Sequence, residues 1–319
     1  MIEQTGANPA FLAADTITAR LIKRAVMLSK IRNYFSSQQV LEVETPILSP
    51  YAVTDPQLDN LRVENPFAIS EDEPDNWLYL STSPEYGMKQ LLSLGSGSIY
   101  QISKAFRQDP PGRLHSSEFT LLEWYRLDYD MDALIDDVAS LIHSVSADHK
   151  KPLAINKISY QQAFLDYVGI DPLSATAAEL EAVAQHSLDV SFTSQDKDIW
   201  LDLLLTHCVE PKLGQGAMTF LYNYPESQAA LARLAKDDNG NIIAKRFELY
   251  IDGVELANGY FELTDADEQL QRFEKDNILR QQAGKAVRNI DPQFMRAMQR
   301  GLPECSGVAL GVDRLLLVI

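Results

Sequence analysis

Apolar and polar positions follow two different periods along this chain, and these periods predict helices and strands. Helical spacing covers residues 18–39 and 265–282. The apolar positions of the first helix are Leu21, Ile22, Ala25, Val26, Ile31 and Phe35. Other helices are predicted at 84–94, over most of 131–208 with breaks near 151–152 and 171–172, and at 291–301. Strands are predicted at 41–46, 78–81, 99–106, 119–127, 218–222, 246–251, 254–263 and 306–312.

Local signals fix the ends of some elements and indicate the fold class. Asp252-Gly253, between two strand patterns, predicts a tight hairpin. Asp291-Pro292 predicts the start of a helix, and Gly301 predicts its end. Strands from the whole chain alternate with hairpins and helices. We therefore expect an α+β fold, an antiparallel sheet flanked by helices, rather than a doubly wound parallel sheet.

The composition narrows the classes of function. In 319 residues, Lys and Arg total 28 and Asp and Glu total 45, a net charge of −17. Such a chain has no overall attraction to nucleic acid phosphates, whereas an acidic pocket suits a lysine-like substrate. The 2 cysteines, Cys208 and Cys305, form no CxxC pair and favour a reducing cytoplasm. No apolar run approaches the length of a membrane span.

The predicted strand at 119–127 places unusual chemistry on one face. Alternate side chains share a face of a strand, and here they are Phe119, Leu121, Glu123 and Tyr125. An aromatic ring, a carboxylate and a phenol in one row suggest a binding surface. The alternatives are a hairpin with an incidental salt bridge and, for Glu123, a buried ion pair with Arg126.

Two later segments carry further candidates. Glu255 and Glu262 lie an odd number of residues apart, so a regular strand would point them to opposite faces. If both serve one site, the strand is irregular, and Asn258-Gly259 is the expected place for a bulge. The alternative is a surface hairpin with solvated glutamates. Within residues 306–315, a glycine-punctuated strand is followed by Arg314 at a strand-to-helix turn, and the Arg314 guanidinium suits a phosphate.

Together these segments resemble motifs 2 and 3 of the class II aminoacyl-tRNA synthetases, in the lysyl subgroup. Residues 41–46 resemble motif 1, whose proline lies at the dimer interface in that family. Five separated segments agree in the expected order: Thr82-Ser83-Pro84-Glu85, Phe106-Arg107, Glu118-Phe119, residues 255–259 and residues 311–314. The resemblance covers about residues 20–319. It implies a class II catalytic domain that uses ATP and Mg²⁺ and forms a homodimer through motif 1.

One departure concerns domain organisation. About 40 residues precede motif 1, too few for the five-stranded barrel with which lysyl-tRNA synthetases bind the anticodon. We expect residues 1–319 to form one catalytic domain, with 1–17 as an N-terminal extension and no anticodon binding. The resemblance then lies closest to stand-alone lysyl-synthetase paralogues that attach β-lysine to translation elongation factor P.

The resemblance also implies an ATP site. Arg107 at the α-phosphate and Arg314 near the γ-phosphate are the expected catalytic residues, and Phe119 is expected to stack on adenine. Glu255 and Glu262 are the expected magnesium ligands. The full set implied for ATP is Arg107, Gln108, Asp109, His115, Phe119, Glu255, Leu256, Gly311 and Arg314.

For the amino-acid pocket the resemblance implies Ser83, Pro84, Glu85, Glu123, Tyr125, Glu262 and Ala309. Acidic side chains suit a diamino acid, because a buried ammonium needs an opposite charge. Glu262 is thus a candidate for the amine as well as for the metal. Ala309 stands where lysyl-tRNA synthetases typically have glycine, and we hypothesise that its methyl group favours a β-amino acid, β-lysine, over lysine.

The implied reaction has two steps: the substrate carboxylate attacks ATP to give an adenylate, and a lysine ε-amine of elongation factor P then displaces AMP. One alternative is a minimal lysyl-tRNA synthetase-like enzyme that makes lysyl-adenylate. An asparagine-synthetase-like paralogue fits less well, because Glu85 and Glu123 suit a cationic substrate. A non-catalytic paralogue that only binds ATP or an amino acid is disfavoured because both arginines and both glutamates are retained.

Overall fold

The structure is a computed structural model that describes residues 14–66, 76–110, 112–146 and 152–319. Its helices are α1 Ala14–Ser37, α2 Glu85–Ser93, α3 Met131–Val145, α4 Tyr160–Tyr167, α5 Ala177–Ser187, α6 Lys197–Leu204, α7 Ala266–Gln282, α8 Pro292–Arg300 and α9 Val312–Val318. Its strands are β1 Leu41–Glu42, β2 Leu48–Ser49, β3 Arg62–Glu64, β4 Trp77–Leu80, β5 Ile99–Phe106, β6 Glu118–Leu127, β7 Ala154–Ser159, β8 Ala217–Pro225, β9 Leu234–Lys236, β10 Ile242–Ile251, β11 Val254–Phe261 and β12 Cys305–Gly311.

Within these described ranges, nine strands form one sheet in the order β1-β5-β6-β12-β11-β10-β8-β7, with β9 added beside β10. Only the outer pairs in this part of the chain, β1–β5 and β7–β8, are parallel. The remaining ladders are antiparallel. A small second sheet has the order β2-β4-β3. The predicted α+β fold, an antiparallel sheet flanked by helices, is confirmed.

One face of the large sheet packs against α1 and α3. Phe35 of α1 and Leu134 of α3 are fully buried there with Leu122 and Trp124 of β6. The opposite face of β6, β10, β11 and β12 lines an open cavity. Helices α2 and α8 cover the end of the cavity near β5, where Met88 and Phe294 are fully buried. The sheet thus separates a dry core from the candidate site.

Several predicted ends are confirmed. Asp252 and Gly253 both have positive φ, 49° and 73°, as a tight hairpin turn with the twist of its strands requires. The Asp291 carboxylate accepts hydrogen bonds from the amides of Gln293 and Phe294 and caps α8. Gly301, at φ 110°, ends that helix.

Other predictions were wrong in part. Residues 131–208 were predicted to be mainly helical, but β7 lies within them and pairs with β8. Its side chains are mostly exposed, so it has no apolar run to reveal it. The predicted strand at 41–46 is paired only at Leu41–Glu42. The apolar face predicted for α1 is divided, because Ile31 and Phe35 are buried while Leu21 and Ile22 are 62% and 59% exposed.

The predicted N-terminal extension falls largely outside the described residues, and α1 already begins at Ala14. Lys151 of the predicted helix break also lies outside them. Among the helices described, none combines the length and apolar character that crossing a membrane requires.

Candidate active site

A cavity of about 2650 Å³ lies on the open face of the sheet. It brings together the candidate residues, although the chain order scatters them: Ser83, Pro84, Glu85, Arg107, Asp109, His115, Phe119, Glu123, Tyr125, Glu255, Leu256, Glu262, Ala309, Gly311 and Arg314. Gln108 does not line it, and its backbone N–H donates to the Asp59 carbonyl at 2.9 Å. Both arginines therefore share one cleft.

Strand β6 alternates as predicted. Phe119, Leu121, Glu123 and Tyr125 line the cavity, while Leu122 and Trp124 lie in the core. The alternative of a Glu123–Arg126 ion pair is wrong, because Arg126 points to the other face. There its Nε lies 3.4 Å from Asp137.

A bulge in β11 turns Glu255 and Glu262 to the same face. Leu249 of β10 pairs with Ala257, but Tyr250 pairs with Glu255, so Leu256 is an extra residue in β11. The predicted irregularity therefore exists, but not at Asn258-Gly259, where pairing with β12 is regular. A Cβ at Gly259 would lie 2.5 Å from the Phe247 ring, so this glycine allows close packing instead.

One end of the cavity is a buried cluster of acidic groups. Glu123 is 2% exposed, and its carboxylate accepts hydrogen bonds from Ser83 Oγ and Tyr125 Oη, both at 2.7 Å. Glu262 is 1% exposed and lies at the end of β11. A Cβ at Gly307 would lie 2.5 Å from Glu262 Oε1, so the absence of a side chain at Gly307 makes room for this carboxylate. We call this region the amine end.

Sequence reasoning missed Lys89, which completes the amine end. Its side chain is fully buried, and Nζ lies 2.7 Å from both Glu85 Oε1 and Glu262 Oε2. Burial opposes the charge on Lys89, but the nearby carboxylates of Glu262 and Glu85 raise its pKa above the ordinary value. Glu85 and Lys89 are four residues apart on α2, a spacing that brings side chains together on a helix. That spacing was visible in the sequence.

The pKa values of Glu123 and Glu262 are both raised, which favours the neutral form of these carboxyl groups. Burial, followed by the charge of Glu85, raises the pKa of Glu123 to about 8. Burial raises the pKa of Glu262 to about 7, although Lys89 opposes that shift. An ammonium group that enters this region would restore both negative charges. The amine end is therefore suited to a cationic side chain.

The opposite end of the cavity carries the arginines, and we call it the phosphate end. The Arg107 guanidinium lies over the Phe119 ring, 5.2 Å from its centroid, and its Nε is buried without a hydrogen-bond partner. Arg314 Nη1 donates to Glu255 Oε2 at 3.1 Å, and Nη2 lies 3.3 Å from His115 Nε2. An unsatisfied buried guanidinium N–H is a ready donor for an anion.

The two candidate magnesium ligands lie in different surroundings. Glu262 belongs to the amine end, whereas Glu255 faces Glu248, which the sequence prediction missed. Burial, then the Glu248 charge, raises the pKa of Glu255. In the part of the chain that the structure describes, no group of three or more potential ligands is present. Magnesium needs only one or two carboxylates with phosphate oxygens. Glu255 therefore fits a cation that arrives with a nucleotide. The two Glu248 oxygens, in contrast, already accept hydrogen bonds from Arg246 and Tyr250.

This geometry agrees with what the chain is similar to. Residues 10–319 match the family model described as tRNA synthetases class II (D, K and N). The chain belongs to this class II synthetase family. Three relatives bear the name elongation factor P--(R)-beta-lysine ligase. Those from Photorhabdus laumondii and Yersinia enterocolitica are each 47% identical to it over 303 residues, 94% of this chain and 90% of theirs. The relative from Hamiltonella defensa is 46% identical over 302 residues, again 94% of this chain and 90% of its own.

Proposed function

We propose that this synthetase-family protein activates (R)-β-lysine with ATP and transfers it to a lysine ε-amine of translation elongation factor P. The observation that carries the proposal is one cavity with a carboxylate-rich amine end and an arginine-rich phosphate end. A diamino acid and a nucleotide can therefore meet within it. The names of the relatives support the choice of β-lysine and of elongation factor P.

In the first step the β-lysine carboxylate attacks the α-phosphorus of ATP and pyrophosphate leaves. The attacking carboxylate is already ionised, so the step needs no general base. We assign to Arg107 the neutralisation of charge that grows on the α-phosphate and to the neighbouring Phe119 ring the stacking on adenine; the unpartnered Arg107 Nε and its position over that ring support this. Arg314 would hold the outer phosphates. Glu255, with Glu262 as the second expected ligand, would hold magnesium, which would neutralise charge on the phosphates.

The amine end positions the substrate for that attack. We assign one substrate ammonium to Glu123, whose carboxylate is already oriented by Ser83 and Tyr125. The acidic pair Glu85 and Glu262 is assigned to the other. Holding both amines fixes the direction of the carboxylate, and such positioning supplies much of the rate in reactions of this type. In the second step the acceptor ε-amine attacks the activated carbonyl and AMP leaves.

The oligomeric state and the domain organisation are part of the same proposal. The exposed apolar side chains Leu21, Ile22 and Val26 on α1, with Leu41 and Leu48 near motif 1, suit a homodimer interface. We propose that residues 1–319 act as one catalytic domain in the cytoplasm, without anticodon binding.

Mass spectrometry of elongation factor P tests the proposal directly. The factor is incubated with this protein, ATP and either (R)-β-lysine or lysine. We expect its mass to increase by one lysyl residue, faster with β-lysine, and no increase without ATP or with the acceptor lysine replaced by arginine. Charging of lysine tRNA instead would identify a minimal synthetase. Absence of ATP–pyrophosphate exchange with either isomer would identify a non-catalytic paralogue.

A further inference from the structure

Lys89 places a buried cation within a region that we assign to cationic substrates. Its side chain is 0% exposed and contacts two carboxylates at 2.7 Å each. A buried ion pair often contributes little net stability compared with apolar residues of the same volume. A role beyond stability is therefore worth testing.

We propose that Lys89 is a positioning residue of the amine end, which holds Glu85 and Glu262 in one arrangement and sets the net charge of the pocket to match a diamino acid. The inference rests on the proposed function. It assigns Lys89 no contact with the substrate, because Lys89 acts through the two carboxylates that it joins.

The geometry supports the positioning role. Glu85 begins α2 and Glu262 follows β11, so the Lys89 ammonium ties a helix to the end of a strand. Glu262 is confined from the other side as well, since its backbone N–H donates to the Cys305 carbonyl at 3.0 Å and Gly307 lies against its Oε1. Lys89 therefore adds a contact from α2 to a carboxylate whose backbone the sheet already holds.

The charges support the matching role. Within the described residues of the amine end, Glu85, Glu123 and Glu262 with Lys89 carry two net negative charges when all are ionised. A diamino acid brings two ammonium groups. Without Lys89, three carboxyl groups would share one buried region. Burial and mutual repulsion would then favour the neutral form of at least one of them. Tyr125, Tyr260 and Cys305 also face this cluster, and their pKa values are all raised, first by burial, so they contribute no negative charge.

Kinetics of Lys89→Met in the full chain test the inference. ATP–pyrophosphate exchange is followed with β-lysine and with a β-amino acid of the same carbon chain that lacks the ε-amine. We expect KM for β-lysine to rise about tenfold or more, with kcat and KM for ATP within about twofold of wild type. Discrimination between the two amino acids should fall. A merely structural role would not separate these constants.

A matched control is Lys157→Met. Lys157 also bridges two carboxylates, Asp132 at 3.3 Å and Asp136 at 3.2 Å, but it is not among the residues that line the cavity. We expect its kinetics to equal those of wild type.

A second comparison covers the case in which Lys89→Met does not fold. In Glu262→Gln the partner is neutral, so adding Lys89→Met leaves fewer unpaired buried charges. If Lys89 acts through Glu262, adding Lys89→Met to the Glu262→Gln variant should raise KM for β-lysine less than adding it to wild type. If Lys89→Met alone is unfolded, the double variant is compared with Glu262→Gln, and its KM should rise less than about twofold. Full additivity, or a lower melting temperature with unchanged KM, would overturn the inference. Failure of wild type to activate β-lysine would instead overturn the proposed function.

Discussion

The two ends of the cavity differ in how complete they are before any ligand binds. At the amine end, Lys89, Glu123 and Glu262 are at most 2% exposed, and their side chains contact one another or neighbouring protein groups. At the phosphate end, the side chains of Arg314 and Glu255 are 25% and 37% exposed. Apart from Glu85, whose side chain is 19% exposed, the amine end is buried and its charged groups are already paired. The phosphate end is only half-buried, and its Arg107 Nε has no partner.

This difference separates selectivity from chemistry. A preformed, buried pocket recognises the amino acid with little reorganisation, so its contacts set which substrate binds. In the proposed reaction the half-buried arginines gain most where charge develops in the transition state, so we expect them to set the rate. Substitutions at the amine end should therefore change KM for the amino acid, and those at the phosphate end should change kcat.

Arg107→Ala should give the largest effect. We expect kcat for ATP–pyrophosphate exchange to fall about 1,000-fold, because a positioned donor to the α-phosphate is lost, with little change in KM for β-lysine. Arg62→Ala is the control, since the Arg62 guanidinium also lies over an aromatic ring, 4.2 Å from the Trp77 centroid, but outside the cavity lining. Equal losses in both variants would contradict the assignment.

Glu123→Gln should change KM for β-lysine rather than kcat. The amide keeps the shape of the carboxylate but loses its charge, so we expect KM for β-lysine to rise about 10- to 100-fold with kcat nearly unchanged. Steady-state exchange assays measure both constants. In Glu304→Gln, which alters an exposed carboxylate paired with Arg233, no change is expected. A loss confined to kcat in Glu123→Gln would remove the distinction between the two ends.

The affinity for β-lysine should rise with pH. With pKa values of about 8 for Glu123 and about 7 for Glu262, these carboxyls are protonated at low pH and attract ammonium only as the pH passes these values. We expect the affinity to increase about tenfold from about pH 6.5 to about pH 8.5. Calorimetry in buffers of different ionisation enthalpy should detect proton release on binding, reduced in Glu123→Gln.

The stability of the ligand-free protein should fall as the pH rises. Because these folded-state pKa values are raised, their stabilising contribution is present at low pH and is lost as the pH rises through about 7 and about 8. The gain in melting temperature from added β-lysine should therefore grow with pH, and a gain independent of pH would contradict the shifts.

Ala309→Gly should give the smallest effect. Ala309 pairs with Glu123 on one side and with Asn258 on the other, and it lines the cavity. Removal of its methyl group should shift the ratio of kcat/KM for β-lysine over lysine about fourfold toward lysine. An unchanged ratio would show that this methyl group does not set the preference for β-lysine.

Local rules predicted the alternation in β6 and the turn at Asp252-Gly253. The convergence of most candidate residues was predicted only from the resemblance to class II synthetases, because it depends on long-range strand pairing. The predicted position of the bulge was wrong, since the extra residue, Leu256, is recognisable only from the register with β10. Lys89 was missed although its spacing from Glu85 was visible, because its second carboxylate, Glu262, is distant in sequence. Glu248 was missed because only the pairing of β10 with β11 brings it near Glu255. Strand β7 was missed because its pairing with β8, rather than an apolar pattern, makes it a strand.

The ion pair between Arg24 and Asp313 connects α1 to the turn that carries Arg314. Arg24 lies 2.7 Å from Asp313 and 2.8 Å from the Thr120 hydroxyl, and the other Asp313 oxygen accepts the Thr120 amide at 2.7 Å. Asp313 directly precedes Arg314. These contacts therefore connect α1, which also carries the exposed Ile22 and Val26, to a guanidinium in the cavity. In the proposed homodimer, association between subunits through α1 would be physically linked to the position of Arg314.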